Sequence, residues 1–294
     1  MTFAPTLDAN RTWMPDLHMH TSASDGLLSP SDLVMRAKAQ GVNLMAVTDH
    51  DTLNGLEDAS IAAREAGIQL IPGIEITTQG EEEIHLLGYF VQKGNAGLDD
   101  LLAAIRHDRA EREPRFLRRL GEMGMPVTHE DLRIPDGTMF SRPLLAHAMT
   151  RLGYVQSVQD AFDRYLGVGK PAYIPRLHVP IEQAISILRG MRAVPVLAHP
   201  GLIRKPLDEC ISLLDEWVSA GLMGIEAFHP THSQEECRYW EQVARSRGLL
   251  VTGGSDFHGL PDALHGEVGH MLSQWHNATQ DAQALLDCAT QTTG

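Results

Sequence analysis

Cysteine is scarce in this chain. Its 294 residues hold three, Cys210, Cys237 and Cys288, widely spaced, odd in number and without a Cys-x-x-Cys pair. That excludes a disulfide framework and a thiolate zinc site, and leaves free structural thiols. Long apolar runs are missing as well, since none approaches the roughly 18 residues of a membrane span. Residues Met1 to Met14 lack a basic start followed by an apolar core, so a cytoplasmic protein without a membrane partner is expected. Positive charge is in deficit, with 24 Lys and Arg against 38 Asp and Glu and a formal net charge of -14. Such a balance argues against non-specific binding of nucleic acid over the whole surface. There is no internal repeat and no low-complexity tract. What is present is 43% hydrophobic and 21% charged residues, enough for one barrel-sized domain, alone or with an insertion. Histidine is plentiful at 15, and it is the commonest metal ligand.

The stretch Asp16-Leu-His18-Met-His20-Thr-Ser-Ala-Ser-Asp25-Gly organises the reading. An apolar run ends in two histidines that share one face of a strand, and an aspartate follows in a turn. Ser29-Pro30 starts a helix that ends near Gly41. Val42 to Thr48 reads as a buried parallel strand ending in Asp49-His50-Asp51, and a helix from about Leu53 to Ala66 follows. Asp49 and Asp51 suit helix capping or support of His50. Gln69 to Thr77 is a third strand, carrying Glu75, a carboxylate too costly to bury without a cation or metal. Glu83 to Val91 is a fourth strand, with His85 inside it rather than at its tip.

From Leu98 the alternation stops. Asp99 to Gly121 reads as an amphipathic helix that Pro114 should kink or divide, with a solvated face of arginines. Helical pieces follow at 140–147, including Ser141 and Arg142, and at 158–165. A Gly/Pro-rich loop then carries Lys170 and Arg176. Between Leu101 and Ala193, 14 Lys and Arg exceed 10 Asp and Glu, a basic segment inside an acidic chain that suggests a local anion site. The division expected is a barrel of residues 1–97 and 192–294 with an inserted, mainly helical cap at 98–191.

The barrel pattern resumes with a helix at 181–190 and three more strands. They end in His199-Pro, in Glu226-Ala-Phe-His229-Pro-Thr-His232, and in Ser-Asp256-Phe-His258. The tail reads as a loop, a short strand around 267–272 and a helix at 281–289. About seven strands carry His, Asp or Glu at or near their ends, and in an α/β barrel those ends converge on one face. His107, His129, His147, His178, His265, His270 and His276 stand outside any pattern and read as surface or packing residues.

This ordered set, His-x-His with Ser-Asp-Gly, Thr-Asp-His-Asp, Pro-Gly-Ile-Glu, His-Leu-Leu-Gly-Tyr, Ala-His-Pro and Gly-Ser-Asp-Phe-His, is similar to the motifs of the polymerase and histidinol phosphatase (PHP) family. The likeness runs from about Pro15 to Gly259. It implies an α/β fold, a distorted (β/α)7 TIM-like barrel, with two or three divalent metal ions; manganese is expected, with zinc or iron as alternatives. The resemblance further implies that His18, His20, Glu75 and Asp256 hold one ion. Glu75 would bridge to a second completed by His85 and His199, and Asp25, His50 and His258 would hold a third. A metal-bridging water would attack phosphorus, with Asp25 and His229 among the catalytic groups.

The Arg-rich insert with Ser-Arg-Pro and Gly-Lys-Pro-Ala-Tyr-Ile-Pro resembles the branch of 3′,5′-nucleoside bisphosphate phosphatases and 5′-to-3′ oligoribonucleases. Ser141, Arg142, Lys170, Arg176, Arg204, Lys205, His229 and His232 are the groups expected to contact substrate. The expected reaction is removal of the 3′-phosphate from a nucleoside 3′,5′-bisphosphate, without an obligate protein partner. Trimming of short RNA, hydrolysis of histidinol phosphate and a catalytically silent metal-binding module are the alternatives.

Overall fold

The computed structural model describes residues 11–79, 83–134, 140–175, 177, 179–259 and 265–291. Arg176 and His178 lie outside them. The first strand, β1 (Pro15–Asp16), is short, and helix α1 (Pro30–Ala39) starts as its sequence requires. The Ser29 hydroxyl accepts the Asp32 N–H at 3.1 Å, and Pro30 occupies the first turn. Strand β2 (Leu44–Val47) is buried along its whole length, as a parallel strand covered on both faces must be. Helix α2 (Leu56–Ala66), strand β3 (Gln69–Gln79) and strand β4 (Glu83–Tyr89) complete the first half.

Helix α3 (Ala96–Glu122) runs through Pro114 without interruption, so the proline removes one hydrogen bond and does not divide the helix. After it come α4 (His129–Leu132), α5 (Arg142–Arg151) and α6 (Val158–Ala161), the last continuing as a π-turn over Phe162–Leu166. Then α7 (Ile181–Gly190), β5 (Val194–Leu197), α8 (Leu207–Ala220), β6 (Gly224–Phe228), α9 (Gln234–Ser246), β7 (Leu250–Gly253) and α10 (Ala278–Gln291) restore the alternation. In the tail, 267–272 is not a strand. Gly269 takes φ +77, its N–H reaches Asp16 Oδ2 at 2.7 Å, and a 3-10 turn follows at His270–Ser273.

Among the described residues one sheet of seven strands runs in chain order, β1 to β7. All neighbours are parallel except that β4 runs against both β3 and β5. Hydrogen bonds from Leu17 N–H to Gly253 O (3.1 Å) and from His20 N–H to Phe257 O (3.0 Å) draw the last strand's end to the first. The sheet is therefore nearly closed into a barrel. Inside it the buried Tyr89 hydroxyl donates to Leu17 O at 3.0 Å, tying β4 to the start of the chain across the interior.

The chain divides into two compact units, Met1–Asp99 with His178–Gly294, and Asp100–Leu177. The second boundary falls before α7 rather than at 191/192, because α7 packs Ile181, Ala184, Ile185 and Leu188 against the barrel strands. The unit Asp100–Leu177 has its own apolar core, built on Phe116, Leu120, Leu145, Met149 and Leu166. Not all arginines of α3 are solvated. Arg112 is buried, donates to Ile174 O at 3.0 Å and stacks over Phe116 at 5.5 Å. No helix among the described residues is long and apolar enough to cross a membrane.

Candidate metal centre

Strand direction brings the polar residues of the barrel to one end. His18 and His20 follow β1, His50 follows β2, His199 follows β5, His229 follows β6, and Asp256 and His258 follow β7. His85 lies early in β4, and because β4 is antiparallel its beginning lies at the end where the other strands finish. Pairing of Glu75 with Leu87 and of Thr77 with His85 sets Glu75 and His85 two positions apart in the ladder, on one face. His85 Nδ1 is 2.8 Å from Glu75 Oε1.

Four buried groups, His18, His20, Glu75 and Asp256, point ligand atoms at one spot. His18 Nε2 and His20 Nε2 are 3.1 Å apart. Each is 3.2 Å from Glu75 Oε2, and they are 3.2 and 3.1 Å from Asp256 Oδ1. A tetrahedron of that edge has its centre about 2 Å from each corner, the length of a zinc-to-nitrogen or zinc-to-oxygen bond. Glu75 Oε2, Asp256 Oδ1, His20 Nδ1 and His50 Nδ1 are all buried and make no well-aligned hydrogen bond among the described residues. Orphaned acceptors are costly unless something positive sits among them. The residues therefore fit a divalent cation.

The other expected ligands gather around the same carboxylate. Glu75 Oε1 has His85 at 2.8 Å and His199 Nε2 at 3.0 Å, and His50 Nδ1 lies 3.1 Å from Glu75 Oε2. Further out, half-exposed Asp25 has His258 Nε2 at 3.3 Å, His20 Nδ1 at 3.7 Å and His50 Nε2 at 3.8 Å. His50 thus turns one nitrogen to Glu75 and the other to Asp25, and His20 does the same between the first group and Asp25.

The electrostatics follow from burial and crowding. Burial alone would raise the Glu75 carboxyl, but His50, His18 and His85 outweigh it and hold it well below the usual carboxylate range. Burial would lower His20, yet the Asp256 and Glu75 carboxylates push it up to about 10. His50 goes the other way, carried down to about 3 by burial. Asp25 is held below its ordinary value by His50, His258 and His20, against the opposing effect of burial.

Backbone and buried carboxylates hold this arrangement in place. Asp49 accepts from Thr21 N–H (2.7 Å), Thr21 Oγ1 (2.8 Å) and Ser24 Oγ (2.7 Å), fixing the turn that carries Asp25. Asp51 accepts the Thr77 N–H at 2.9 Å. Gly254 lies so close beneath His18 that a Cβ there would meet the His18 Cβ at 2.4 Å. Two contributors were not expected from sequence. Glu226 is buried against His18 and His199, and it gave the same signal as Glu75, a carboxylate within an apolar strand. The His265 ring packs against that of His258 with centroids 4.2 Å apart and planes tilted by 41°, its Nε2 is 3.9 Å from Asp256 Oδ2, and nothing in its sequence neighbourhood signals this.

The expected substrate residues divide. His229 reaches Asp256 Oδ2 with Nε2 at 3.3 Å, while its Nδ1 accepts the Thr231 N–H at 3.2 Å. His232 is not available to a phosphate. Its Nδ1 donates to Ala227 O at 3.0 Å and its Nε2 accepts the Gly201 N–H at 3.0 Å, so backbone occupies both nitrogens. Gly201 permits this approach, since a Cβ there would meet the His232 ring at 2.6 Å. Lys205 pairs with Glu209, and Arg204 precedes it in the same loop. In the other unit, Ser141 caps α5 by accepting the Leu144 N–H at 3.4 Å. Arg142 lies over the rings of Tyr173 (5.7 Å) and Phe162 (5.9 Å), and Lys170 is exposed.

A nearly closed α/β barrel with a buried cluster of imidazoles and carboxylates at one end is the frame of a metallohydrolase. The chain belongs to the PHP domain family, which matches residues 16–164. It is 34% identical over 245 residues to a 5′-3′ exoribonuclease of Haemophilus influenzae, covering 83% of this chain and 89% of that one. It is 32% identical over 258 residues to a 3′,5′-nucleoside bisphosphate phosphatase of Chromobacterium violaceum, covering 87% and 90%. A solved structure from Bifidobacterium adolescentis, assigned as a metal-dependent phosphoesterase, superposes with a TM-score of 0.77 at 30% identity, covering 93% of this chain and 96% of that one.

Proposed function

We propose that this protein is a metal-dependent phosphomonoesterase that converts nucleoside 3′,5′-bisphosphates to the 5′-nucleotide and phosphate. The convergence of His18, His20, Glu75 and Asp256 on one point carries the reading, and the likeness to a bisphosphate phosphatase directs it to this substrate class. The ion sets proposed are His18, His20, Glu75 and Asp256; Glu75, His85 and His199; and Asp25, His50 and His258. Manganese is the first choice, with zinc and iron as alternatives, because imidazole and carboxylate donors accept all three. Bound there, divalent ions supply an acidified water and neutralise charge developing on the phosphoryl group.

The chain's own groups do the positioning. Glu75 is held ionised, with Oε2 against His18 and His20 and Oε1 against His85 and His199, and would hold ions between these groups. His229 Nδ1 faces Thr231, whose N–H donates to it at 3.2 Å and whose Oγ1 lies at 2.8 Å, so Nε2 is the nitrogen left to offer a proton toward the pocket. It is the group proposed to donate to the leaving oxygen or to a phosphate oxygen. Arg142 and Lys170, with Arg204 and Lys205, are the cations proposed for the substrate's second phosphate. A second reading, shortening of RNA from its 5′ end, is favoured by the likeness to the Haemophilus exoribonuclease.

Assays of the manganese-loaded protein, for phosphate released from the monoesters and for 5′-mononucleotide released from RNA, test both. Adenosine 3′,5′-bisphosphate should be hydrolysed selectively, with 5′-AMP as product, ahead of 3′-AMP, 5′-AMP, histidinol phosphate and a 5′-phosphorylated RNA trimer. Turnover of the trimer alone would move the assignment to the exonuclease reading, and turnover of histidinol phosphate alone would overturn both.

A further inference from the structure

Glu226 lies in β6 with none of its side chain exposed. Its two oxygens are used on two different strand ends. Oε1 is 3.0 Å from His18 Nδ1, and Oε2 accepts the backbone N–H of His199 at 2.8 Å. A carboxylate only accepts, so the first contact places the His18 proton on Nδ1 and leaves the Nε2 lone pair facing His20, Glu75 and Asp256. The second contact holds a backbone that a non-glycine residue rarely adopts, His199 at φ 25 and ψ 61. That conformation carries the His199 imidazole to within 3.0 Å of Glu75 Oε1.

We infer that Glu226 is a positioning residue that couples the two ion positions sharing Glu75. One carboxylate sets the tautomer of a ligand at the first and the backbone of a ligand at the second, without touching either ion. The inference rests on the metal reading of the pocket given above. It also explains why the residue is Glu. A glutamine has one acceptor and one donor, so it can serve either His18 Nδ1–H or the His199 N–H, and it sets donor against donor at the other.

The test is equilibrium dialysis against manganese or zinc with elemental analysis, on wild type, Glu226→Gln and His85→Ala, with circular dichroism and thermal melting of the ion-free proteins as the fold control. Wild type should take up at least two ions. Glu226→Gln should lose roughly ten- to a hundred-fold in affinity at both positions, whereas His85→Ala should weaken only the second. Wild-type affinity at both positions in Glu226→Gln overturns the positioning role, and loss at one position alone overturns the coupling. No ion uptake by wild type overturns the metal reading and this inference with it. Should Glu226→Gln fail to fold, long-range proton–nitrogen spectra of the zinc-loaded wild type decide. His18 must carry its proton on Nδ1, and an unprotonated Nδ1 overturns the inference.

Discussion

His229 and His232 are three residues apart in sequence and have opposite surroundings. His229 keeps one nitrogen for Asp256, whereas His232 gives both to backbone and pins the turn after β5 to the end of β6. Replacing His232 with Ala leaves the Gly201 N–H without its partner, and should cost about 1–3 kcal/mol of stability by urea unfolding. Turnover of the folded variant should stay within a few-fold. His229→Ala should do the reverse, lowering kcat roughly a hundred-fold or more with little change in stability. Equal losses of turnover would refute this division of labour. The sequence could not separate the two, because the difference lies in a backbone N–H that arrives from the turn after β5. By contrast, His18, His20 and Glu75 were legible in advance, since a His-x-His shares a strand face and a carboxylate in an apolar strand needs a cation. Glu226 meets the same criterion, although it belongs to none of the ordered motifs.

Helices and strands were legible where their pattern is local. Ser29-Pro30 starts α1 as read, and the apolar runs ending in polar residues are the barrel strands. The reversal of β4 follows from chain length, since only three residues separate Gln79 from Glu83, too few for the crossover that a parallel pair needs. That reversal explains His85, which looked misplaced inside its strand. The strand expected at 267–272 is a turn, because its backbone depends on Asp16, more than 250 residues away. Helix α10 offers a test at this scale. Asp281 accepts from Trp275 Nε1 (2.8 Å) and Arg245 Nη2 (3.0 Å), with Glu241 nearby. Burial raises its carboxyl above the ordinary value despite both donors. The folded state therefore binds this proton more tightly than the unfolded chain, so Asp281 contributes stability at low pH that is lost as pH rises through the raised value. Asp281→Asn should flatten that part of the stability profile, a decline that begins above the ordinary aspartate value of about 4. Asp281→Ala should cost about 1–3 kcal/mol at neutral pH by leaving the buried indole N–H unpaired. An unchanged profile in the Asn variant would show that the decline belongs to other groups.

At the scale of the whole molecule, the described residues hold two apolar cores and one cluster of groups suited to ions. All the proposed ion ligands belong to the unit Met1–Asp99 with His178–Gly294, while Asp100–Leu177 is built on its own core. An ion that binds only the folded pocket stabilises it by mass action, about 2.7 kcal/mol at a hundred-fold excess over Kd. For a unit of this size that is a rise in Tm of roughly 5–10 °C. Ordering the ligands is also where the chain gains most from the ion, because buried Glu75 Oε2 and Asp256 Oδ1 both crowd the His18 and His20 nitrogens without a well-aligned hydrogen bond among the described residues. Calorimetry in chelator and then in saturating manganese should therefore show two transitions, of which the one from the ion-binding unit moves up while the other stays. A single transition that shifts as a whole would mean that the two units unfold together, and one that does not shift would mean that the pocket takes no ion.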